Sequence, residues 1–271
     1  MTNLAPIPIH FFRHESFFNL GDELAPYILE KFCGQNLEKV NPRRNEHALF
    51  SVGSILSDAC FKTQTIWGSG LIAAQARPKV MPNILAVRGP LTARVLQIDG
   101  KVPLGDPALL LPDIFQPQRS TEKKIKLGII PHYIDQKDFV SRFVSQGEKS
   151  YIILNIASDK VEEFISRVVE CDFIVSSSLH GVIIAQAYNI PAVWVEFSDK
   201  VIGSGFKFFD YFHSVGVAPY KPKRFVDGKI TFSDLVGLQK QHRGQLYINN
   251  YDKSDLCNVL KDWIKQKTSS N

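Results

Sequence analysis

The chain has 271 residues, 44% of them hydrophobic and 22% charged, with a formal net charge of +5. That balance buries a full core, suits one large or two modest α/β domains, and describes an ordinary globular protein. The basic residues Lys123-Lys124 and Lys221-Lys223-Arg224 lie far apart, which fits acidic metabolites or an anionic membrane surface and gives nucleic acid no motif to support it. Four isolated cysteines, Cys33, Cys60, Cys171 and Cys257, form no CxxC pair, so a reducing compartment is expected and structural zinc is not. Met1 to Arg13 lacks the pattern of a secretory signal. Gln186, Asn189, Pro191 and Glu196 interrupt the apolar stretch from Gly181 to Phe197, so no membrane span is read and a cytoplasmic chain is expected.

In chain order, Ile7 to Phe11 alternates as a strand and Tyr27 to Phe32 follows helical spacing up to Gly34. Ala48 to Val52, Thr65 to Trp67 and Ile84 to Val87 read as buried strands. Pro90 to Gln97 reads as a helix with proline in its first turn. Pro112 to Lys124 breaks the pattern and predicts a linker. Strands then recur at Ile125 to Ile130, Tyr151 to Asn155, Phe173 to Val175 and Ala192 to Val195, separated by helical patterns at Gln136 to Ser145, Lys160 to Val169 and Val182 to Tyr188. Such alternation predicts parallel sheets in two Rossmann-like halves, residues 1–115 and 122–271. Ser198 to Tyr251 is expected as loops and short elements over a cleft. Ser254 to Lys265 closes as an amphipathic helix with Leu256, Val259, Leu260 and Ile264 on one face.

The most informative turn is Ser176-Ser177-Ser178-Leu179-His180-Gly181. A strand ending in hydroxyls and turning into a helix gathers free N–H groups and a positive dipole end, here beside an imidazole, and so forms an anion site. The plainer reading is an N-cap made by Ser177 or Ser178 with His180 solvated. Further strand-end turns carry Asn19, Gly21 and Asp22, then Gly68, Ser69 and Gly70, then Arg88 and Gly89, then Asp106, then His132. Asn19 suits a sugar hydroxyl, and Asp22 serves equally as a helix cap or as a base for an acceptor. Gly68-Ser69-Gly70 suits an oxyanion or a tight turn. Arg88 presents a bidentate donor where a phosphate or carboxylate would sit, or pairs with a structural carboxylate. Asp106 leans towards a turn. Lys207, among aromatics, supplies another cation or covers apolar surface. No HxH, HExxH or GxGxxG pattern asks for a metal or a dinucleotide, so no cofactor is expected.

The ordered set Asn-Leu-Gly-Asp, Trp-Gly-Ser-Gly, Val-Arg-Gly-Pro-Leu-Thr-Ala-Arg, Gly-Asp-Pro-Ala-Leu-Leu-Leu-Pro, Ile-Pro-His-Tyr, Ser-Ser-Leu-His-Gly-Val-Ile-Ile-Ala and Phe-Lys-Phe-Phe-Asp-Tyr, from Asn19 to Tyr211, resembles the polysaccharide pyruvyl transferases. The resemblance implies a GT-B-like pair of domains facing across a cleft. It also implies transfer of enolpyruvate from phosphoenolpyruvate to two hydroxyls of a sugar; for that chemistry, placement at strand ends makes His180 and Arg88 the expected catalytic groups, with His180 ahead of His132 as general acid or phosphate ligand. Asn19, Gly21, Asp22, Gly68, Ser69, Gly70, Gly89, Asp106, His132, Ser177, Ser178, Leu179, Gly181 and Lys207 would contact substrates. Family members often read Arg-Leu-His where this chain has Ser178-Leu179-His180, so Arg88 or Lys207 is expected to carry the missing cation. A lipid-linked acceptor, with peripheral contact at the inner face of the cytoplasmic membrane, is a further expectation. A nucleotide-sugar glycosyltransferase on the same architecture and a non-catalytic sugar- or phosphate-binding protein remain open alternatives.

Overall fold

Alternation of short apolar runs with helical patterns produces two parallel sheets in the computed structural model, which describes residues 5–269 except 14, 35, 119–124 and 250. The first half comprises β1 (Ile7–His10), α1 (Leu20–Cys33), β2 (Leu37–Lys39), β3 (Leu49–Phe50), β4 (Thr65–Trp67), β5 (Asn83–Ala86), α2 (Pro90–Leu96) and α3 (Leu111–Ile114). The second comprises β6 (Leu127–Ile130), α4 (Gln136–Arg142), β7 (Phe143–Val144), β8 (Tyr151–Ile153), α5 (Val161–Val169), β9 (Ile174–Ser176), α6 (Leu179–Ala187), β10 (Ala192–Glu196), α7 (Phe206–Ser214), β11 (Lys223–Arg224), β12 (Ile230–Thr231), α8 (Phe232–Gln241) and α9 (Ser254–Ser269). The sheet orders are β2-β1-β3-β4-β5 and β11-β10-β9-β6-β8, all strands parallel, with β12 and β7 forming a small separate ladder.

Continuous apolar runs such as Leu127 to Ile130 are buried along their whole length, as expected for strands covered on both faces. One apolar core runs from Ile9, Leu24 and Trp67 in the first half to Ile129, Val175 and Ile183 in the second, and a smaller cluster around Phe50, Ile66 and Val87 packs the other face of the first sheet. The halves are stitched by specific bonds. Leu20 N donates to Ile156 O at 2.8 Å, Tyr188 Oη to Phe115 O at 2.7 Å, and the fully buried Trp67 Nε1 to Leu256 O at 2.8 Å. That last bond sets α9 against the first sheet, although α9 follows the second in sequence. Among the described residues, no helix is long and apolar enough to cross a membrane.

Several elements depart from the sequence reading. The stretch 198–251, expected as loops and short elements, contains α7 and α8, nine and ten residues long. Their periodicity is masked because aromatics dominate α7 and polar residues dominate α8, which begins with a capping box between Thr231 and Asp234. Helix α1 starts at Leu20, ahead of Pro26, and α6 starts at Leu179, so His180 and Gly181 lie inside the helix. The expected helix from Gln136 to Ser145 ends at Arg142, where Phe143 turns extended to pair with Ile230. Helix α3 occupies part of the expected linker, whose residues 119–124 lie outside the described residues.

Candidate active site

Three helix starts and the carboxyl edge of the second sheet meet at a cleft of about 400 Å³. Asn19 and Asp22 come from the start of α1, Ser178, Leu179 and His180 from the start of α6, Lys207 from the start of α7, and His132 from the turn after β6. Seven of the residues singled out from sequence thus line one space. Helical geometry leaves the N–H groups of Leu179, His180 and Gly181 without intrahelical acceptors, so this corner carries fixed positive polarity. Ser178 holds the N-cap position with an extended backbone and makes no side-chain cap.

Close approach between the halves depends on missing side chains. A Cβ on Gly21 would run into the His180 ring, so only glycine lets α1 reach α6 here. Beneath the ring lies Asp106, fully buried: its Oδ1 accepts from Ala108 N at 3.0 Å, and its Oδ2 stands 3.8 Å from His180 Nε2. Among the described residues, neither Asp106 Oδ2 nor His180 Nε2 has a hydrogen-bond partner. A buried carboxylate facing one imidazole nitrogen favours a proton on that nitrogen and turns the other edge of the ring elsewhere. Asp106 therefore combines the cap expected of its turn with a contact to His180.

Charge in the cleft is tuned by burial. Asp22 accepts from Asn19 Nδ2 at 2.7 Å, yet burial raises its carboxyl to about 6, overcoming that bond and the nearby His180. Asp22 sits in the first turn of α1, with Asn19 rather than Asp22 at the N-cap position. Burial lowers His132 to about 3, helped by Lys207 and His180, so it stays neutral. Lys207 is lowered to about 8, first by burial and then by Arg88, while Asp22 and Asp135 oppose the shift. Among the described residues Lys207 has no ion-pair partner, only the Phe208 ring at 5.8 Å from Nζ.

Arg88 stands behind the cleft wall, fully buried. Its Nε donates to Asp210 Oδ2 at 3.1 Å, Nη1 to Ser54 Oγ at 2.7 Å and Nη2 to Leu71 O at 2.6 Å. Asp210 in turn accepts from Thr92 N at 2.9 Å and Thr92 Oγ1 at 2.7 Å, which ties α7 to α2. Arg88 thus takes the alternative role weighed from sequence, pairing with a structural carboxylate. Its partner Ser54 lines the cleft, and its partner Asp210 lies three residues along α7 from Lys207. The glycines around it make room: a Cβ on Gly70 would meet the guanidinium, and one on Gly89 the Asp210 backbone. Gly68 packs against Pro107, and Ser69 Oγ donates to Gly53 O at 2.9 Å, so Gly68-Ser69-Gly70 forms a buried support. Ser177 lies one layer down, donating to Asp135 Oδ2 at 2.6 Å and accepting from His132 N at 2.8 Å. Gly181 packs on Ser176 and Ile130.

Sequence reading missed Ser54, Asp58 and Asp210. Ser54 carried a usable signal, since Gly53-Ser54 follows a strand just as Gly68-Ser69 does. Asp210 lies one helical turn from Lys207, a relation invisible until α7 is known to be a helix. Among the described residues no group of three His, Cys, Asp or Glu side chains is placed to hold a metal ion.

Two parallel α/β sheets thus bring helix starts together around a histidine and a lysine that has no ion-pair partner among the described residues. Residues 80–199 match the polysaccharide pyruvyl transferase family. The chain is also 30% identical over 234 residues to an uncharacterized protein of Acanthamoeba polyphaga mimivirus, covering 83% of this chain and 79% of that protein. It is 27% identical over 216 residues to the succinoglycan biosynthesis protein ExoV of Rhizobium meliloti (strain 1021), covering 76% of this chain and 64% of that protein. The chain belongs to the polysaccharide pyruvyl transferase family.

Proposed function

We propose that the protein transfers the enolpyruvyl group of phosphoenolpyruvate to two hydroxyls of a sugar in a surface or exopolysaccharide precursor, releasing phosphate and leaving a pyruvate ketal. In this reading the two sheets are the two Rossmann-like halves of a GT-B-like enzyme, bounded as expected at 1–115 and 122–271, working in the cytoplasm. The observation that carries it is the half-buried Lys207, without an ion-pair partner among the described residues, in the cleft that also holds His180, Asp22 and the start of α6. Phosphoenolpyruvate bears a phosphate and a carboxylate, and a cation with helix N–H groups is the chemistry that holds both.

The reaction needs a proton on the terminal carbon of the enol. In this reading His180 delivers it, and the Asp106 carboxylate beside its Nε2 supports that role. One acceptor hydroxyl then bonds to C2 as it gives its proton to Asp22, a carboxylate that is ionised above about pH 6. The second hydroxyl bonds to the same carbon, the C2–O bond to phosphate breaks, and its proton leaves with the phosphate or passes to the base. Both carbon–oxygen bonds of the ketal and one C–H bond form, the π bond of the enol and the C2–O bond to phosphate are lost, and the two hydroxyl protons replace the one placed on carbon and the one that leaves with phosphate, with no net oxidation or reduction. His132, neutral throughout, donates or accepts a hydrogen bond without adding charge.

Incubation with phosphoenolpyruvate and an oligosaccharide acceptor tests the proposal. Phosphate should appear in step with an acceptor heavier by one pyruvate ketal in the mass spectrum. Nucleotide release from a nucleotide sugar, with no phosphate from phosphoenolpyruvate, would transfer the assignment to a glycosyltransferase.

A further inference from the structure

Lys207 borders a second space besides the cleft, of about 550 Å³, and Val201 and Ile202 line both with it. Ser177 and Ser198 stand on the wall of that space. Both bond to Asp135, a carboxylate that is 1% exposed and takes no part in the proton transfers of the proposed reaction. Asp135 precedes α4 but makes no side-chain cap to it, and it has no ion-pair partner among the described residues. Its Oδ2 accepts from Ser177 Oγ at 2.6 Å, and its Oδ1 accepts from Ser198 Oγ. Each hydroxyl accepts a bond in turn: Ser177 Oγ from His132 N at 2.8 Å, and Ser198 Oγ from Lys200 N at 3.1 Å. Ser177 lies in the turn into α6, and Ser198 opens the loop between β10 and α7. That loop runs through three successive left-handed residues, Gly203, Ser204 and Gly205, with φ of 98°, 45° and 78°, before α7 delivers Lys207. One buried carboxylate thus ties together the turn that carries His132, the turn into α6 and the loop that leads to Lys207. Two neutral hydroxyls satisfy its oxygens without cancelling its charge, and that charge acts on Lys207.

From these two hydroxyl bridges we infer that Asp135 is a positioning residue: through Ser177 and Ser198 it holds the elements that present His132, the start of α6 and Lys207 to the donor, and its negative charge keeps Lys207 cationic. The other charged groups around Lys207 leave it that task. Arg88, after β5, disfavours the ammonium, and Asp22, in α1, joins Asp135 in favouring it. His132 is neutral, and His180 stands beside Asp106. Asp210, on α7 itself, is taken up by Arg88 and Thr92. On the side of the second space Arg224 is paired with Glu196 and Asp199. Asp22 and Asp135 are the carboxylates left to support Lys207, and Asp135 also fixes its loop. The inference rests on the proposed pyruvyl transfer for the identity of the donor; the hold of Asp135 on Lys207 does not.

Competitive acetylation with a trace of acetic anhydride across a pH series, read by peptide mass spectrometry, follows the Lys207 amine itself with no substrate present. The wild-type midpoint should lie at about 8. Asp135→Asn keeps the size of the side chain and removes its charge, and should lower that midpoint by at least about half a pH unit. The alkaline limb of kcat/KM for phosphoenolpyruvate should move down by the same interval, which loss of packing alone would not cause. Ser198→Ala keeps the carboxylate and cuts its bridge to the loop. It should raise KM for phosphoenolpyruvate by about 3–10-fold, with kcat changed less and the Lys207 midpoint in place. Melting curves show whether each variant is folded. An unchanged Lys207 midpoint in folded Asp135→Asn, or an unchanged KM in Ser198→Ala, would overturn the inference; should Asp135→Asn fail to fold, the KM of Ser198→Ala decides. A midpoint that shifts as expected, in a protein whose wild type releases no phosphate from phosphoenolpyruvate, leaves the hold of Asp135 on Lys207 standing and removes the donor instead.

Discussion

Arg88 and Lys207 are both cations near helix starts at the meeting of the two halves, and their surroundings give them opposite tasks. Arg88 is enclosed, and each of its three nitrogens donates to Asp210, Ser54 or Leu71. A buried guanidinium survives only when it is paired and hydrogen-bonded, and every nitrogen of this one is already committed within the protein. Lys207 faces a cleft with no ion-pair partner among the described residues, and burial has already weakened its hold on a proton. A charge that is fully paired fixes geometry, whereas one left unpaired at the edge of solvent awaits an opposite charge from outside. The same contrast separates Asp210, filled by Arg88 and Thr92, from Asp22, whose raised pKa marks a carboxylate that burial leaves incompletely satisfied.

The strongest way to break this contrast lies in the chemistry of the unpaired side. His180→Ala should lower turnover by roughly 10²–10⁴-fold, the usual contribution of a placed general acid, with the melting temperature little changed. Phosphate release from phosphoenolpyruvate reads the first quantity and thermal denaturation the second. On the paired side, Arg88→Met strands Asp210 in the core and should cost about 3–5 kcal/mol of stability, measured by urea unfolding. Asp210→Asn should cost less because it keeps an acceptor for the guanidinium. A stable Arg88→Met protein whose only defect is donor binding would reverse the roles assigned to the two cations.

Smaller effects sharpen the picture. Lys207→Ala should weaken donor binding by about 10–100-fold, the range for one charge-assisted contact to an anion, while leaving stability within about 1 kcal/mol. The pH dependence follows from the two shifted groups. As pH rises through about 6, Asp22 loses its proton and becomes a base; as it rises through about 8, Lys207 loses its charge. Rate at low donor concentration should therefore be bell-shaped between these values, and Asp22→Asn should remove the acid limb along with most activity. For stability the sign differs. Between its ordinary 3.8 and about 6, folded Asp22 keeps a proton that the unfolded chain releases, so raising the pH through that window disfavours folding. Asp22→Asn should flatten this slope in denaturation curves.

Much of this arrangement was legible before any coordinates. Strand and helix alternation gave the parallel sheets, because a strand buried on both faces must be apolar throughout, as Leu127 to Ile130 is. Strand-end turns pointed to Asn19, Asp22, His132, Ser178 and His180, which the fold gathers into one cleft because parallel strands bring all their carboxyl ends to the same edge. Sequence could not decide between the two readings of Arg88, since its carboxylate partner lies 122 residues away on α7, a helix hidden by aromatic residues on several faces. Asp58 escaped for a related reason. It looks like an ordinary end-of-element residue, and only the sheet order β2-β1-β3 places β1 beside the strand that leads to Asp58.

The most direct measurement is a crystal structure with phosphoenolpyruvate bound. The account predicts one anionic group within hydrogen-bond distance of Lys207 Nζ and another at the N–H groups that open α6, with His180 facing the terminal carbon and the Arg88–Asp210 pair intact. A donor held instead by Arg88 drawn out of its pair with Asp210, or seated away from Lys207 and the start of α6, would contradict it.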